Sequence, residues 1–236
     1  MTNAHISKRD ARRTARARKK VYFRIILAGV IIVVLAAALW LIWSSQRAKP
    51  VILQTPTIGS QLPYLVGTKQ YSAAPPMLID VSKQYLATVT MSKGGEFVIQ
   101  LYPDKAPSTV NSFVFLARQG YFNGVTFHRV LEGFMAQGGD PTGTGKGGPG
   151  YEFANEQNDL TFNKAGVVAM ANAGRDTNGS QFFIMFGPYG LSESDYTIFG
   201  QVISGMDIVN GITRRDPAQN PSFSGDAIES IIITEK

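Results

Sequence analysis

The side chains that could carry covalent or metal chemistry are few in this chain of 236 residues. It contains no cysteine and only two histidines, His5 and His128. A thiolate nucleophile, a disulfide scaffold, an iron–sulfur cluster and a cysteine-ligated zinc site are therefore excluded. No glycine-flanked serine stands beside His128, so a serine hydrolase is not expected. We predict that the protein uses no metal and no cofactor.

A glycine-rich run, Gly143 to Gly148, matches the dinucleotide-binding fingerprint by letter. That fingerprint works only between a strand and a helix, where amide groups and the helix dipole face a phosphate. Here Pro149-Gly150 follows at once, so no helix can begin there. The run is also no phosphate-binding loop, because Gly147 follows Lys146 where serine or threonine is needed. Nucleotide binding is not expected.

Four other strings combine one arginine with amide, apolar and aromatic side chains. They are Phe127 to Val130 (FHRV), Gly133 to Asp140 (GFMAQGGD), Met170 to Gly174 (MANAG) and Asn178 to Ile184 (NGSQFFI). In order and spacing, these strings resemble the cyclophilin family of peptidyl-prolyl cis/trans isomerases. The resemblance extends over about Met77 to Lys236. It implies a closed eight-stranded antiparallel barrel capped by two helices.

The resemblance also implies roles for individual residues. Arg129 takes the catalytic position, and the remaining positions bind substrate. The resemblance implies that an apolar pocket for the proline ring is lined by Phe134, Met135, Phe183 and Leu191. It also implies that the rest of the peptide is contacted by Gln137, Ala171, Asn172, Gln181 and Tyr196. Strand alternation places Gln181 and Phe183 on one face and Phe182 on the other, and it separates Arg129 from His128. His128 is therefore not expected to be catalytic.

The segment from Gly187 to Tyr196 departs from the family pattern. It lacks the tryptophan that many eukaryotic members carry before the leucine, and Tyr196 stands where they often have histidine. The loop is also about one residue longer than expected. The resemblance therefore implies isomerisation of substrates, but not binding of cyclosporin, which uses that tryptophan in many members.

Short apolar runs separated by glycine-rich turns independently predict an all-β domain. We expect strands over Tyr85–Met91, Glu96–Tyr102, Val125–Val130 and Ala227–Thr234. The spacing of apolar residues after an early proline predicts a helix over Pro107–Gln119, ended by Gly120. A second, shorter helix is expected over Gly205–Thr213. Nothing indicates βαβ alternation, so an antiparallel barrel or sandwich with two helices is the simplest architecture.

The net charge of +6 is unevenly distributed along the chain. Residues 1–24 contain nine basic residues and one acidic residue, whereas the rest contains 14 basic and 16 acidic residues, a division into +8 and −2. Residues 25–43 follow as 19 positions without a charge or a proline. At ~1.5 Å per residue such a helix is about 28 Å long, close to the hydrocarbon thickness of a bilayer. We predict a transmembrane helix there, and no nucleic-acid partner.

The chain is thus predicted to comprise a basic cytoplasmic head (1–24), a transmembrane helix (25–43), a proline-rich linker (44–76) and an isomerase domain (77–236). The positive-inside tendency places the head in the cytoplasm and the isomerase domain outside it. Cleavage of the apolar segment as a signal peptide, with secretion of the domain, is the alternative.

Two hypotheses on function follow. The first is a membrane-tethered isomerase that acts on Xaa-Pro bonds of exported or envelope proteins. The second is a module that holds proline-containing segments of a membrane complex, with incidental turnover. Both imply proline-containing polypeptides and the lipid bilayer as partners.

Overall fold

A computed structural model of the protein describes residues 65–67 and 69–236. The predicted head, the predicted transmembrane helix (25–43) and most of the predicted linker lie outside these residues. Within the described part, no helix has the length and apolar character needed to span a membrane.

The described residues form ten strands, two α-helices and one 3₁₀-helix at Pro217–Gln219. The helices are α1 (Pro107–Arg118) and α2 (Met206–Asn210). The strands are β1 (Leu65–Gly67), β2 (Gln70–Tyr71), β3 (Tyr85–Met91), β4 (Glu96–Leu101), β5 (Arg129–Leu131), β6 (Met135–Gly138), β7 (Val167–Met170), β8 (Phe182–Met185), β9 (Ile198–Ser204) and β10 (Ile228–Glu235).

Eight of these strands form one antiparallel sheet in the order β10-β3-β4-β9-β7-β8-β6-β5. The predicted closure of the barrel is wrong, because the sheet is curled but open and β5 does not pair with β10. The free edge of β5 is occupied instead, since Val130 exchanges both backbone hydrogen bonds with Arg215. The first residue of β10, Ile228, bonds to Gly124 and Val125, which precede β5.

The pattern of burial along the strands shows where the core lies. In β3 fully buried residues alternate with half-buried ones, as expected for a strand with one face on a core. In β8 all four residues are buried. Phe182 and Ile184 belong to the main core, whereas Phe183 and Met185 belong to a second apolar cluster on the opposite face. This second cluster underlies the candidate site.

Helix α1 begins with Pro107, which lacks an N–H and therefore leaves no donor unsatisfied at this position. The Glu156 carboxylate accepts hydrogen bonds from the next two amides, Ser108 N and Thr109 N, both at 2.8 Å. Every residue from Thr109 to Ala117 is buried. The helix packs against β10, and its buried apolar residues belong to the main core.

Residues 69–76, which we call the strap, come from the end of the predicted linker and lie against the domain. Tyr71 is buried, with its ring 5.1 Å from that of Phe115 and 6.4 Å from that of Tyr121. Its amide donates to Pro149 O at 2.7 Å. Asn111 on α1 donates to Pro76 O at 2.9 Å. The strap thus bridges α1 and the loop before residue 150.

Candidate active site

One cavity of about 140 Å³ brings together nine of the ten residues that the sequence singled out. We call it the small pocket. It lies where β5, β6 and β8 run side by side, and its lining comprises Arg129, Phe134, Met135, Gln137, Ala171, Asn172, Phe183, Leu191 and Tyr196. The tenth residue, Gln181, borders it through a hydrogen bond from the Gln137 amide at 3.0 Å.

Arg129 contributes the positive charge of the small pocket. It sits in β5 opposite Gln137 in β6, and its Nη1 lies 3.4 Å from Gln137 Oε1. Its guanidinium carbon is 5.9 Å from the centre of the Phe134 ring. Among the described residues, no carboxylate lies within ion-pairing distance of Arg129. The guanidinium therefore retains donors for a bound molecule.

A chain of amide hydrogen bonds orients the polar side of the pocket. Gln137 accepts from Arg129 and donates to Gln181 Oε1. Gln181 in turn donates to the carbonyl oxygens of Gly145 at 3.1 Å and Gly147 at 2.9 Å. Because each amide both donates and accepts, the chain fixes which end of the Gln137 side chain faces the guanidinium.

The floor of the pocket is apolar and closely packed. Met135 and Phe183 are 1% and 4% exposed, so only one surface of each is open to a ligand. Phe183 stacks on Phe162, with ring centres 5.9 Å apart, and meets Tyr196 edge-on at 5.5 Å. Such a floor accepts an apolar ring by shape and excludes water.

Sequence reasoning missed two aromatic residues of this site. Phe162 supports Phe183 from below, and Tyr189 stacks on Phe134 with ring centres 4.3 Å apart. Neither falls within the four strings. In the sequence, each is an aromatic residue in a predicted loop. Tyr189 also lies within the segment that departs from the family pattern.

The rim of the pocket is held by the loop from Ser192 to Tyr196. Asn172 donates to Asp195 O at 2.8 Å, and its own Oδ1 accepts from Gly174 N at 3.2 Å. Ala171 N donates to Gln181 O at 2.9 Å. Asn172 therefore positions Tyr196 from the neighbouring loop as well as lining the pocket itself.

A larger cavity of about 700 Å³ adjoins the small pocket. The two share Gln137, Ala171 and Asn172, so these residues form the divide between them. The lining of the larger cavity contains many side-chain amides and glycines, and it includes Lys146, Glu152 and the strap residue Gln70. The sequence did not predict this second cavity.

The glycine-rich loop after β6 wraps a carboxylate. Asp140 is 1% exposed and accepts hydrogen bonds from Thr142 N at 2.7 Å, Thr144 N at 3.0 Å and Gly145 N at 2.6 Å. Burial alone would raise the pKa of the Asp140 carboxyl, but these hydrogen bonds outweigh it and lower the pKa. A Cβ at Gly147 would lie 2.1 Å from Asp140 Oδ1. The internal carboxylate thus explains the glycine at position 147.

His128 lines neither cavity. It is 2% exposed, and neither ring nitrogen has a hydrogen-bond partner among the described residues. Burial lowers the pKa of its imidazole, although the nearby Asp140 charge opposes the shift. Within residues 69–236, no three histidine, aspartate or glutamate side chains lie close enough to hold a metal ion. The chemical capacity of the site therefore rests on a cation, amides and an apolar floor.

Comparison with known protein families gives one match that covers most of the described chain. Residues 86–233 match the family described as "Cyclophilin type peptidyl-prolyl cis-trans isomerase/CLD". This range includes all ten candidate site residues and begins after the strap.

Curated relatives carry the same activity in their names. The chain is 47% identical over 145 residues to mouse "Peptidyl-prolyl cis-trans isomerase-like 1", covering 60% of this chain and 85% of the relative. It is 43% identical over 136 residues to Bacillus subtilis "Peptidyl-prolyl cis-trans isomerase B", covering 57% of this chain and 95% of the relative.

Solved structures agree with the sequence comparisons. A crystal structure of a Cryptosporidium parvum cyclophilin-type peptidyl-prolyl cis-trans isomerase superposes with a TM-score of 0.56 at 30% identity. The match covers 65% of this chain and 99% of that one. A second crystal structure of that protein, in the presence of the dipeptide Ala-Pro, also has a TM-score of 0.56, at 31% identity over 64% of this chain and 99% of that one.

Proposed function

Because the chain belongs to the cyclophilin-type peptidyl-prolyl cis-trans isomerases, we propose that Arg129 stabilises the twisted amide of an Xaa-Pro bond whose ring occupies the small pocket. The observation that carries this proposal is a guanidinium that has no carboxylate within ion-pairing distance among the described residues and that lies beside the apolar floor of the small pocket. Rotation about an Xaa-Pro bond takes tens to hundreds of seconds without a catalyst, because its barrier is ~18–20 kcal/mol. An isomerase must lower that barrier without breaking a covalent bond.

The chemistry of the rotation suits the residues present. As the amide twists, conjugation is lost and the proline nitrogen regains a lone pair. A fixed cationic donor near that nitrogen stabilises the twisted form more than either planar form. The Arg129 fork can donate to the nitrogen with one arm while its charge is retained. Gln137 Oε1 lies 3.4 Å from Arg129 Nη1 on the same side of the pocket.

The remaining lining residues position the substrate. Met135 and Phe183 receive the proline ring on the floor, and Phe134, Leu191 and Tyr196 enclose it at the sides. Gln137, Ala171 and Asn172 hold the peptide backbone at the divide between the two cavities. From there the substrate chain continues over the larger cavity, where Gln181 orients Gln137. No proton needs to be transferred, which agrees with the absence of His128 from the lining of both cavities.

Arginine substitution tests the proposal. We expect Arg129→Ala to reduce kcat/KM by ~100-fold or more, the usual loss when a preorganised charge-stabilising donor is removed. Arg129→Lys should recover part of the loss, because it restores the charge but not the planar fork. The measurement is exchange NMR of an Ala-Pro peptide with the full chain in detergent micelles.

Arg118→Ala is the matched control, since Arg118 is exposed at the end of α1 and pairs with Glu235. Far-UV circular dichroism checks that each variant is folded. Full activity in Arg129→Ala would disprove the assigned role. Binding of the peptide by the wild-type chain without accelerated interconversion would instead favour the binding-module hypothesis.

We also propose that the isomerase acts on exported or envelope proteins from an anchor at residues 25–43. The support is the sequence alone: 19 uncharged residues that follow a head with nine basic residues. Protease added to intact cells should digest residues 69–236 while the head stays protected. Sequencing of the mature N-terminus distinguishes this arrangement from secretion after cleavage. Protection of the domain in intact cells would refute both.

A further inference from the structure

The strap lies outside the part of the chain that matches the family, which begins at residue 86. It is nevertheless tied to the domain at both ends. Tyr71 is buried against Phe115 and Tyr121, and its amide donates to Pro149 O. Pro76 O accepts from Asn111 at 2.9 Å. Family membership therefore does not account for this segment, and its position is fixed by contacts of its own.

The strap also rests directly on the wall of the larger cavity. Gly150 has φ +91°, and a Cβ at this residue would lie 2.7 Å from Tyr71 O and 3.4 Å from Gln70 Cβ. The loop from Gly145 to Gly150 lines the cavity, and Gln70 lines it from the strap. The strap and the loop thus face the same space and touch each other at Gly150.

The larger cavity presents polar groups beside apolar surface. Gln70, Asn172 and Gln181 bring amides to it, and Lys146 and Glu152 bring one charge of each sign. Gln70 is exposed, so its amide is available to a molecule in the cavity. The Asn172 and Gln181 amides are already hydrogen-bonded within the protein. Gln70 is therefore the amide that can donate to and accept from a polar side chain of a substrate, whereas an apolar side chain placed against it would take the amide out of water without a partner.

We propose that Gln70 is a specificity-determining residue, through which the strap selects a polar residue of the substrate next to the Xaa-Pro bond. This inference rests on the proposed binding of the proline ring in the small pocket. The residue selected is the one that lies over the larger cavity when the proline is bound. Gln70 acts on substrate choice and has no part in the rotation itself.

Two substitutions of Gln70 separate size from polarity. Gln70→Trp places a large ring at the cavity wall, and Gln70→Leu removes the amide while retaining most of the side-chain length. Ser72→Trp is the matched control, because Ser72 is an exposed strap residue that does not line the cavity. Gln70 and Ser72 are both exposed, so these variants should remain folded.

The assay measures kcat/KM with the full chain in detergent micelles on two kinds of peptide. The first is N-acetyl-Ala-Pro-amide, which lacks the side chains that are varied in the second. The second is a series of six-residue peptides that have two residues before Ala-Pro and two after it. Each of these four residues is serine, glutamine or leucine. We expect Gln70→Trp to reduce kcat/KM at least fivefold for the serine and glutamine peptides and less than twofold for the short peptide.

Gln70→Leu should lower the ratio of kcat/KM for the serine peptide to that for the leucine peptide at least threefold. Ser72→Trp should change neither value. Equal losses on the short and long peptides, or unchanged ratios in both Gln70 variants, would overturn the inference while leaving the isomerase proposal intact. Absence of catalysis by the wild-type chain on every peptide would refute both.

Discussion

Replacement of Tyr71 by alanine would measure how firmly the strap is built into the isomerase domain. The Tyr71 side chain is 8% exposed and packs on two aromatic rings, those of Phe115 and Tyr121. Its hydroxyl makes no hydrogen bond within the described residues, and burial raises the pKa of this phenol. The ring therefore contributes through apolar contact, and Tyr71→Phe should be nearly neutral.

The size of the effect follows from the buried area. A buried tyrosine removes about 150–250 Å² from water, which at ~25 cal/mol per Å² corresponds to about 4–6 kcal/mol as an upper limit. Alanine keeps one methyl group, and the strap can shift to cover part of the gap. We therefore expect Tyr71→Ala to lower the free energy of unfolding by ~3 kcal/mol. For a domain of this size that corresponds to a fall in Tm of about 6–12 °C.

Thermal unfolding followed by circular dichroism, with wild-type, Tyr71→Ala and Tyr71→Phe chains in the same detergent, gives the three Tm values. A fall of less than 2 °C in Tyr71→Ala would show that the strap only rests on the surface, and it would remove the basis for a fixed Gln70. An equal fall in Tyr71→Phe would show that the hydroxyl carries the contact and that the burial argument is wrong.

Two further predictions concern the loop around Asp140. Gly147→Ala should lower the free energy of unfolding by ~2 kcal/mol or more, because its Cβ would lie 2.1 Å from Asp140 Oδ1. The control is Gly148→Ala, which should change the free energy of unfolding by less than ~0.5 kcal/mol, because a Cβ there has no atom within 4 Å. Similar Tm values for the two variants would contradict this account. Because burial lowers the pKa of His128 below its ordinary 6.5, the unfolded chain binds more protons there, and stability should fall as the pH drops from about 7.5 through 6.5 towards the lower folded pKa. In His128→Gln, the loss of stability that His128 contributes at low pH should disappear. A pH profile of Tm identical to that of the wild type would show that titration of His128 does not contribute to the loss of stability.

Much of the fold could be predicted from local patterns. Strand β3 occupies Tyr85–Met91 as expected, because its alternation is complete and glycines end it. Helix α1 ends at Arg118, one residue before the predicted bound. The strand predicted over Val125–Val130 was largely wrong: only Arg129–Leu131 forms, since Phe127 N bonds to Asp226 O instead of to a neighbouring strand. The predicted closure of the barrel is wrong for a similar reason, because Arg215, which is distant in sequence, forms the backbone hydrogen bonds at the free edge of β5.

The candidate site shows a similar division. The ten residues from the four strings and the following loop meet around the small pocket because short strands bring their faces together, although their roles stay predictions. Phe162, Tyr189 and Gln70 could not be found in this way. Each reaches the site from a loop or from the strap, and its position depends on contacts with residues far away in the sequence. Local patterns do not encode such contacts.

The two faces of β8 also bear on how this enzyme could diversify. Phe182 and Ile184 serve the main core, whereas Phe183 and Met185, one position along, serve the cluster under the pocket. Substitutions at Phe183 and Met185 therefore change the cluster under the pocket without touching the main core. Both side chains are themselves buried, so a library directed at substrate choice should vary them only among apolar residues of similar volume.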